Sequence, residues 1–288
     1  MKKAYTECII SMLIFGTIGI MRRLIPLSSS LLAFTRGILG GTYLVIYMAI
    51  TKRKGERTER KDMLLLILTG AFIGLNWVFL FESYNCTTVS TATMCYYMQP
   101  VFVMILSPIF LKEKLTLRKA LCALVSVVGM LFVSGVFGGS AITESDTKGI
   151  IYGLLAAFLY ASVIILNKKT GKVDAYRKTA VELFAASVTI LPYLLLTGDF
   201  TSVSLSLSSV LLVFVVGVFH TGIAYTMYFG SMKSLPAGSV AMLSYIDPVS
   251  ALILSSLILG EKMTLPGWIG AGMIILSALV SECGRKRK

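Results

Sequence analysis

Ten long apolar blocks alternate with short polar turns along the chain, at about 4–22, 31–51, 63–83, 88–111, 117–137, 149–168, 179–197, 208–229, 238–260 and 264–283. A helix needs about 20 residues to cross a bilayer, and each block reaches or nearly reaches that length. The turns leave no room for a soluble domain. The pattern therefore predicts an all-α polytopic membrane protein with ten transmembrane helices, numbered below as spans 1–10.

The stretch Ser83–Leu117 is written twice. Shifted by 148 positions, it lies over Ser231–Leu265 without a gap, with 13 identities in 35 positions. Shared Ile, Leu and Val are the common vocabulary of membrane helices. A shared Tyr-x-x-Pro (Tyr97 with Pro100, Tyr245 with Pro248), followed at one spacing by Leu-x-Glu-Lys-x-Thr-Leu, is not. Duplication in an apolar chain points to a transporter made of two related halves, here read as residues 1–138 and 149–288. Weaker echoes agree: Phe15-Gly16-Thr17-Ile18 resembles Tyr160-Ala161-Ser162-Val163, and Gly74 falls over Gly222. Five spans per half start the second copy on the opposite side of the membrane. The two five-helix repeats are therefore inverted, related by a pseudo-two-fold axis in the membrane plane.

Charge tests the count. With the amino terminus in the cytoplasm, 22 of the Lys and Arg residues fall in inner loops and the tail, and 4 (Arg22, Arg23, Lys148, Lys262) in outer turns. Positive residues mark the cytoplasmic side, and a miscounted helix would scramble the alternation. The expectation is a multi-pass protein of the bacterial inner (cell) membrane with both termini cytoplasmic. The formal charge of +13 does not indicate nucleic acid, because it sits beside apolar spans. Charged residues make up 14% of the chain, against roughly a quarter in soluble domains. Lys2-Lys3 before an apolar run resembles a signal peptide. No small-x-small cleavage site closes the run, however, and the first span is expected to stay in the membrane. The five cysteines, Cys8, Cys86, Cys95, Cys122 and Cys283, form no C-x-x-C pair and read as small apolar residues.

The ten spans, the two five-helix halves, Pro100 and Pro248 inside spans 4 and 9, and the Glu-Lys-x-Thr turns at Glu113 and Glu261 resemble the drug/metabolite transporter superfamily, in the branch with two EamA-type repeats. The resemblance covers nearly the whole chain. It implies a secondary transporter working by alternating access, with a central cavity lined by both halves. The cargo of such proteins is drawn from amino acids, nucleobases, sugars, vitamins, quaternary amines and drugs.

Pro100 and Pro248 cannot donate to the carbonyls of Tyr96 and Ser244, so each is expected to act as a hinge or to open a cavity wall. Structural prolines are also common in membrane helices. Next to them, Gln99 and Asp247 are the polar residues nearest the midplane. A carboxylate there costs about 3 kcal/mol to insert and is a functional candidate by default. Asp247 is expected to pair with a cationic cargo group or to take up a proton; the alternative is a structural hydrogen bond. Asn76, Trp77, Tyr96, Tyr97, Tyr160, His220, Tyr225 and Tyr245, with Phe15, form an aromatic-rich belt near mid-depth. Their faces suit flat rings and ammonium groups, against a plain packing role for each. His220 is the one histidine, a proton shuttle or a hydrogen-bonded core residue. Arg36 and Glu82 are expected to pair as a gate at the outer mouth, with snorkelling of Arg36 as the alternative. Arg36 and Glu182 should lie towards opposite faces, with Glu7 and Glu182 close enough to the inner surface to reach water. Glu113-Lys114 and Glu261-Lys262 set tight turns, and the G-x-x-x-G pairs at Gly37/Gly41 and Gly70/Gly74 match a close-packing motif.

No phosphate-binding glycine loop, HExxH or G-x-S-x-G motif supports catalysis, so the chain reads as no enzyme. The sequence predicts a secondary transporter without a cofactor, drawing on a proton or solute gradient, in the lipid bilayer as monomer or homodimer. The expected cargo is a small metabolite, an amino acid or related amine first, with export favoured from the resemblance. The rival within transport is efflux of multiple cationic drugs. From other classes the rivals are a membrane enzyme, a sensor or a structural subunit.

Overall fold

The structure is a computed structural model that describes residues 2–52, 58–112, 117–133, 143–167, 169–171, 173–198, 206–232, 243, 246–260 and 264–283. Among them, seven helices are long and apolar enough to cross a membrane: Lys3–Leu24, Ser29–Ile50, Arg60–Cys86, Val89–Leu111, Glu144–Asn167, Tyr176–Thr197 and Leu207–Tyr228. Three shorter apolar helices, Ala120–Phe132, Ile246–Leu259 and Leu265–Ser277, fall where spans 5, 9 and 10 are expected. The chain is a ten-helix membrane protein. The turns Glu113-Lys114 and Glu261-Lys262, and Tyr245, lie outside the described residues.

Local chemistry sets the helix starts. Side-chain oxygens of Ser28, Thr88, Asp174 and Ser206 accept from backbone N–H groups of the first turns of spans 2, 4, 7 and 8, supplying partners that a helix start lacks. Gly198 ends span 7 at φ 65°, a left-handed conformation that costs glycine little.

Contacts between the halves come in exchanged pairs. Span 3 packs on span 6, and span 8 on span 1; span 4 packs on span 6, and span 9 on span 1; span 3 meets span 7, and span 8 meets span 2. Spans 2 and 7 meet each other, as do spans 5 and 10. Each contact maps onto its partner when the two halves are swapped, which is two-fold pseudosymmetry. Spans 2 and 7 run antiparallel, since Phe34 lies level with Ser187 and Tyr47 stacks on Tyr176. Spans 5 and 10 do likewise, with Ser126 bonded to Ser277 and Gly129 against Gly270. Equivalent helices pointing opposite ways are what an inverted repeat requires.

Span 7 is the central strut. A Cβ on Gly70 would come within 2.6 Å of the Ala185 Cβ, one on Gly74 within 2.7 Å of the Ala186 carbonyl, and one on Gly41 within 3.0 Å of the Phe184 ring. Gly37 lies against Ser187 and Leu183. Both G-x-x-x-G pairs thus seat the same helix, one from span 2 and one from span 3. In lipid, where apolar burial drives no association, such backbone approach is the main packing device.

Three spans are interrupted near mid-depth. Span 1 breaks between Lys2–Gly16 and Ile18–Leu24. Span 4 breaks between Val89–Tyr96 and Gln99–Leu111, where the Met98 N–H turns to the Cys95 carbonyl and the Val101 N–H to Met98. The missing N–H of Pro100 accounts for this second break. Span 8 widens into a π-helix over Val216–Ile223, a feature frequent at functional sites.

Candidate functional site

The interruptions converge. Thr17, at the break of span 1, donates its hydroxyl to the Ile14 carbonyl at 2.8 Å and lies 2.6 Å from His220 Nε2. Which of the two donates across this contact depends on the imidazole tautomer. Its Nδ1 is buried without a hydrogen-bond partner. The next residue in the π turn, Thr221, donates to the Val216 carbonyl five residues back at 3.1 Å and accepts from Arg36 Nε at 3.1 Å. The wide turn thus presents one side chain to span 1 and its neighbour to span 2.

Arg36 is 5% exposed. Its guanidinium carbon lies 4.2 Å from the centre of the Trp77 ring and 5.5 Å from that of Phe81. Tyr225, Tyr96 and Tyr84 surround it within electrostatic reach, and the Trp77 indole is the hydrogen-bonding neighbour of the Tyr225 hydroxyl. Asn76 donates to the Ala156 carbonyl at 2.6 Å and faces the Tyr96 hydroxyl, tying span 3 to span 6 and span 4.

Across these tyrosines stands Asp247. Its hydrogen-bonding neighbour is the Tyr97 hydroxyl, and Tyr96, Tyr160, Tyr225 and Tyr228 lie within its field. Tyr96 packs edge-on to Tyr97 at 6.0 Å and against Tyr160 at 5.8 Å. Phe15 meets Tyr225 at 5.4 Å and Tyr228 at 6.1 Å. Among the described residues, no cationic side chain pairs with Asp247 and no carboxylate pairs with Arg36. The arrangement is an aromatic cluster holding, among the described residues, one ion-pair-free ionisable side chain of each sign.

Several expectations change. Arg36 neither pairs with Glu82 nor snorkels outward: it turns in towards Trp77 and Thr221, because span 2 points this face at spans 3 and 8. Glu82 lies instead beside Asn85, which donates to it at 3.4 Å, and within electrostatic reach of Arg22. Glu182 is 4% exposed, with Oε1 lacking a partner, and so does not reach water. The glycines of spans 2 and 3 pull both helices close over it. Glu7 does reach water, 3.8 Å from Lys3. Gln99 opens the second half of span 4. Pro248 stands in the first turn of the described part of span 9, where a missing N–H costs nothing; its expected hinge falls on 244–245, outside the described residues. Thr17, Thr221, Tyr84 and Tyr228 were not anticipated as site residues. The Phe15-Gly16-Thr17-Ile18 echo marked the right part of span 1, but nothing in it singles out the threonine.

A ten-helix bundle with interrupted helices gathered about these aromatic and polar side chains is the architecture of a membrane protein. Sequence comparison agrees: the profile of the EamA-like transporter family matches residues 2–135 and again 147–282. The chain belongs to that family, within the drug/metabolite transporter superfamily. It is 29% identical over 286 residues to the protein described as uncharacterized transporter YxxF of Bacillus subtilis (strain 168), covering 99% of this chain and 91% of that one. An uncharacterized transporter of Clostridium kluyveri is 23% identical, covering 100% and 95%. The uncharacterized inner membrane transporter YicL of Salmonella typhimurium is also 23% identical, covering 100% and 97%. A crystal structure superimposes with TM-score 0.69 at 17% identity, covering 98% of this chain and 96% of that one. At that identity it carries the fold alone.

Proposed function

We propose that this transporter moves a small amine-bearing metabolite, amino acids first among the candidates, out of the cell across the bacterial inner membrane. The observation carrying this reading is Asp247. A carboxylate inside the bundle, beside Tyr97 and among further aromatic rings, has no cation of the protein within ion-pair distance among the described residues. An ammonium group supplies the missing charge, and the rings add cation–π attraction to it. The halves, residues 1–138 and 149–288, rock about this site. The breaks at Thr17 and Tyr97–Met98 give the spans around the cluster places to bend. Transport draws on a proton or solute gradient. The cytoplasmic excess of Lys and Arg orients both termini inward, and the preference for export rests on the family resemblance.

The test is a thermal-stability screen of the detergent-purified protein against amines, amino acids and uncharged analogues of the same shape. Ligands that bind the folded state raise its melting temperature. Cationic probes should shift the wild-type protein, and Asp247→Asn should lose that shift while keeping its basal melting temperature. Equal shifts in both proteins would remove Asp247 from the site.

A further inference from the structure

The cluster has a second charge without an ion-pair partner among the described residues. An arginine inside the membrane is costly, and such residues normally meet a partner of opposite sign or water. Arg36 has the first sort of partner nowhere among the described residues. Neither carboxylate on the adjacent spans pairs with it: Glu82 accepts from Asn85 and lies near Arg22, and Glu182 lies beside Lys178 and within electrostatic reach of Tyr225. Of the five N–H donors of the guanidinium, only Nε is used among the described residues, towards Thr221. The Nη1 and Nη2 groups make no hydrogen bond to any described residue, and they are not among the atoms sealed from a water-sized probe.

A purely structural reading of Arg36 fails on one detail. Thr221 already donates its hydroxyl to the Val216 carbonyl, so the π turn does not need the arginine to satisfy it. The guanidinium carbon rests 4.2 Å from the centre of the Trp77 ring, and its two Nη groups keep no hydrogen-bond partner among the described residues. A planar fork with two free N–H-bearing nitrogens matches a carboxylate in bidentate geometry.

We propose that Arg36 binds an anionic group of the cargo, so that the transported molecule is a zwitterion, with its carboxylate on Arg36 and its ammonium on Asp247. The ammonium half rests on the reading of Asp247 given above; the carboxylate half stands on Arg36 alone. Tyr225 and Tyr96 lie within reach of both charges, so the aromatic body of the cluster spans the gap between the two poles. Specificity follows from this arrangement. An amine without a carboxylate leaves a buried guanidinium unpaired, and an acid without an ammonium leaves Asp247 unpaired. Each is penalised for the ionisable group it leaves without its partner.

The experiment uses full-length protein in detergent and probes in matched triads. These are glycine, phenylalanine, 4-aminobutyrate and 6-aminohexanoate, each with the amine that lacks its carboxylate and the acid that lacks its ammonium. The expected result is that at least one zwitterion stabilises the wild-type protein with tenfold or greater affinity over its amine. In Arg36→Met the zwitterion should fall to the affinity of the amine, while the amine is unchanged. Arg36→Lys should recover only part of the difference, since it restores the charge without the fork. Basal melting of Arg36→Met at or above the wild-type value separates a ligand role from a structural one. The proposal is overturned if zwitterions and amines bind the wild type alike, if Arg36→Met keeps the preference, or if no carboxylate-bearing probe shifts the wild type. Failure of the Asp247 reading shows separately, as amine binding that survives Asp247→Asn.

Discussion

Arg22 and Arg36 stand on neighbouring spans, 14 positions apart in the chain, and they are held in opposite ways. Arg22, at the end of span 1, gives Nη1 to the Ile25 carbonyl at 3.0 Å and Nη2 to Ser29 Oγ at 3.3 Å. Ser29 also accepts from Asn85, and Arg23 reaches across to the Thr87 carbonyl. Thr87 in turn donates to Asp146 at 2.9 Å, and Ser145 to the Cys86 carbonyl at 2.7 Å. This end of the bundle is a latch in which cations are spent on the protein itself. Arg36 is as buried as Arg22, yet it keeps its outer donors free and rests on rings. The difference teaches how to tell a structural charge from one kept for a ligand: count the donors already used, because burial alone does not distinguish them.

That contrast can be broken at four positions. Arg22→Met should have the largest effect, removing two charged hydrogen bonds and stranding the Ile25 carbonyl, at about 3 kcal/mol. Its melting temperature in detergent should drop by several degrees. Thr17→Val should come next, at about 2 kcal/mol, because Nε2 of the buried His220 ring then loses its hydrogen-bond partner while Nδ1 already has none. Thr17→Ser should restore most of the loss. Thr221→Val should cost about 1 kcal/mol, leaving Arg36 Nε without its acceptor. Arg36→Met should cost nothing measurable or stabilise slightly, as replacing a buried charge with an apolar side chain of similar size often does. If Arg36→Met falls as far as Arg22→Met in the same melting series, the two arginines do the same job and the distinction is lost.

Much of this was legible beforehand. Ten apolar blocks, a gapless repeat and the alternation of Lys and Arg carry the fold, because a bilayer imposes length and charge rules that read directly from residues. The convergence of Asn76, Trp77, Tyr96, Tyr97, Tyr160, Tyr225 and Asp247 was also legible, since depth within a span can be counted from its ends. What failed was rotation about the helix axis. Depth alone places Arg36 on the same footing whether it faces Glu82 or Trp77, and only packing decides. Glu182 failed for a related reason: its isolation from water depends on glycines of two other spans. The π-helix left no trace because Val216–Ile223, VGVFHTGI, reads as an ordinary apolar helix.

The widened stretch of span 8 also has an arithmetic consequence. An α-helix advances about 1.5 Å and turns about 100° per residue. A π segment carries a residue more than the regular helix needs. Removing one residue between 216 and 223 would let the segment settle into regular winding, so a deletion that ruins most helices is tolerable here in terms of length. What would change is bearing inside the segment. The flanking turns would keep their direction, because the wide turn had absorbed the surplus residue, while the side chains within it, His220 and Thr221 among them, would be re-aimed as the span still crossed the bilayer. Sequences that differ from this one by a single-residue gap in that stretch would keep the scaffold and present a different lining.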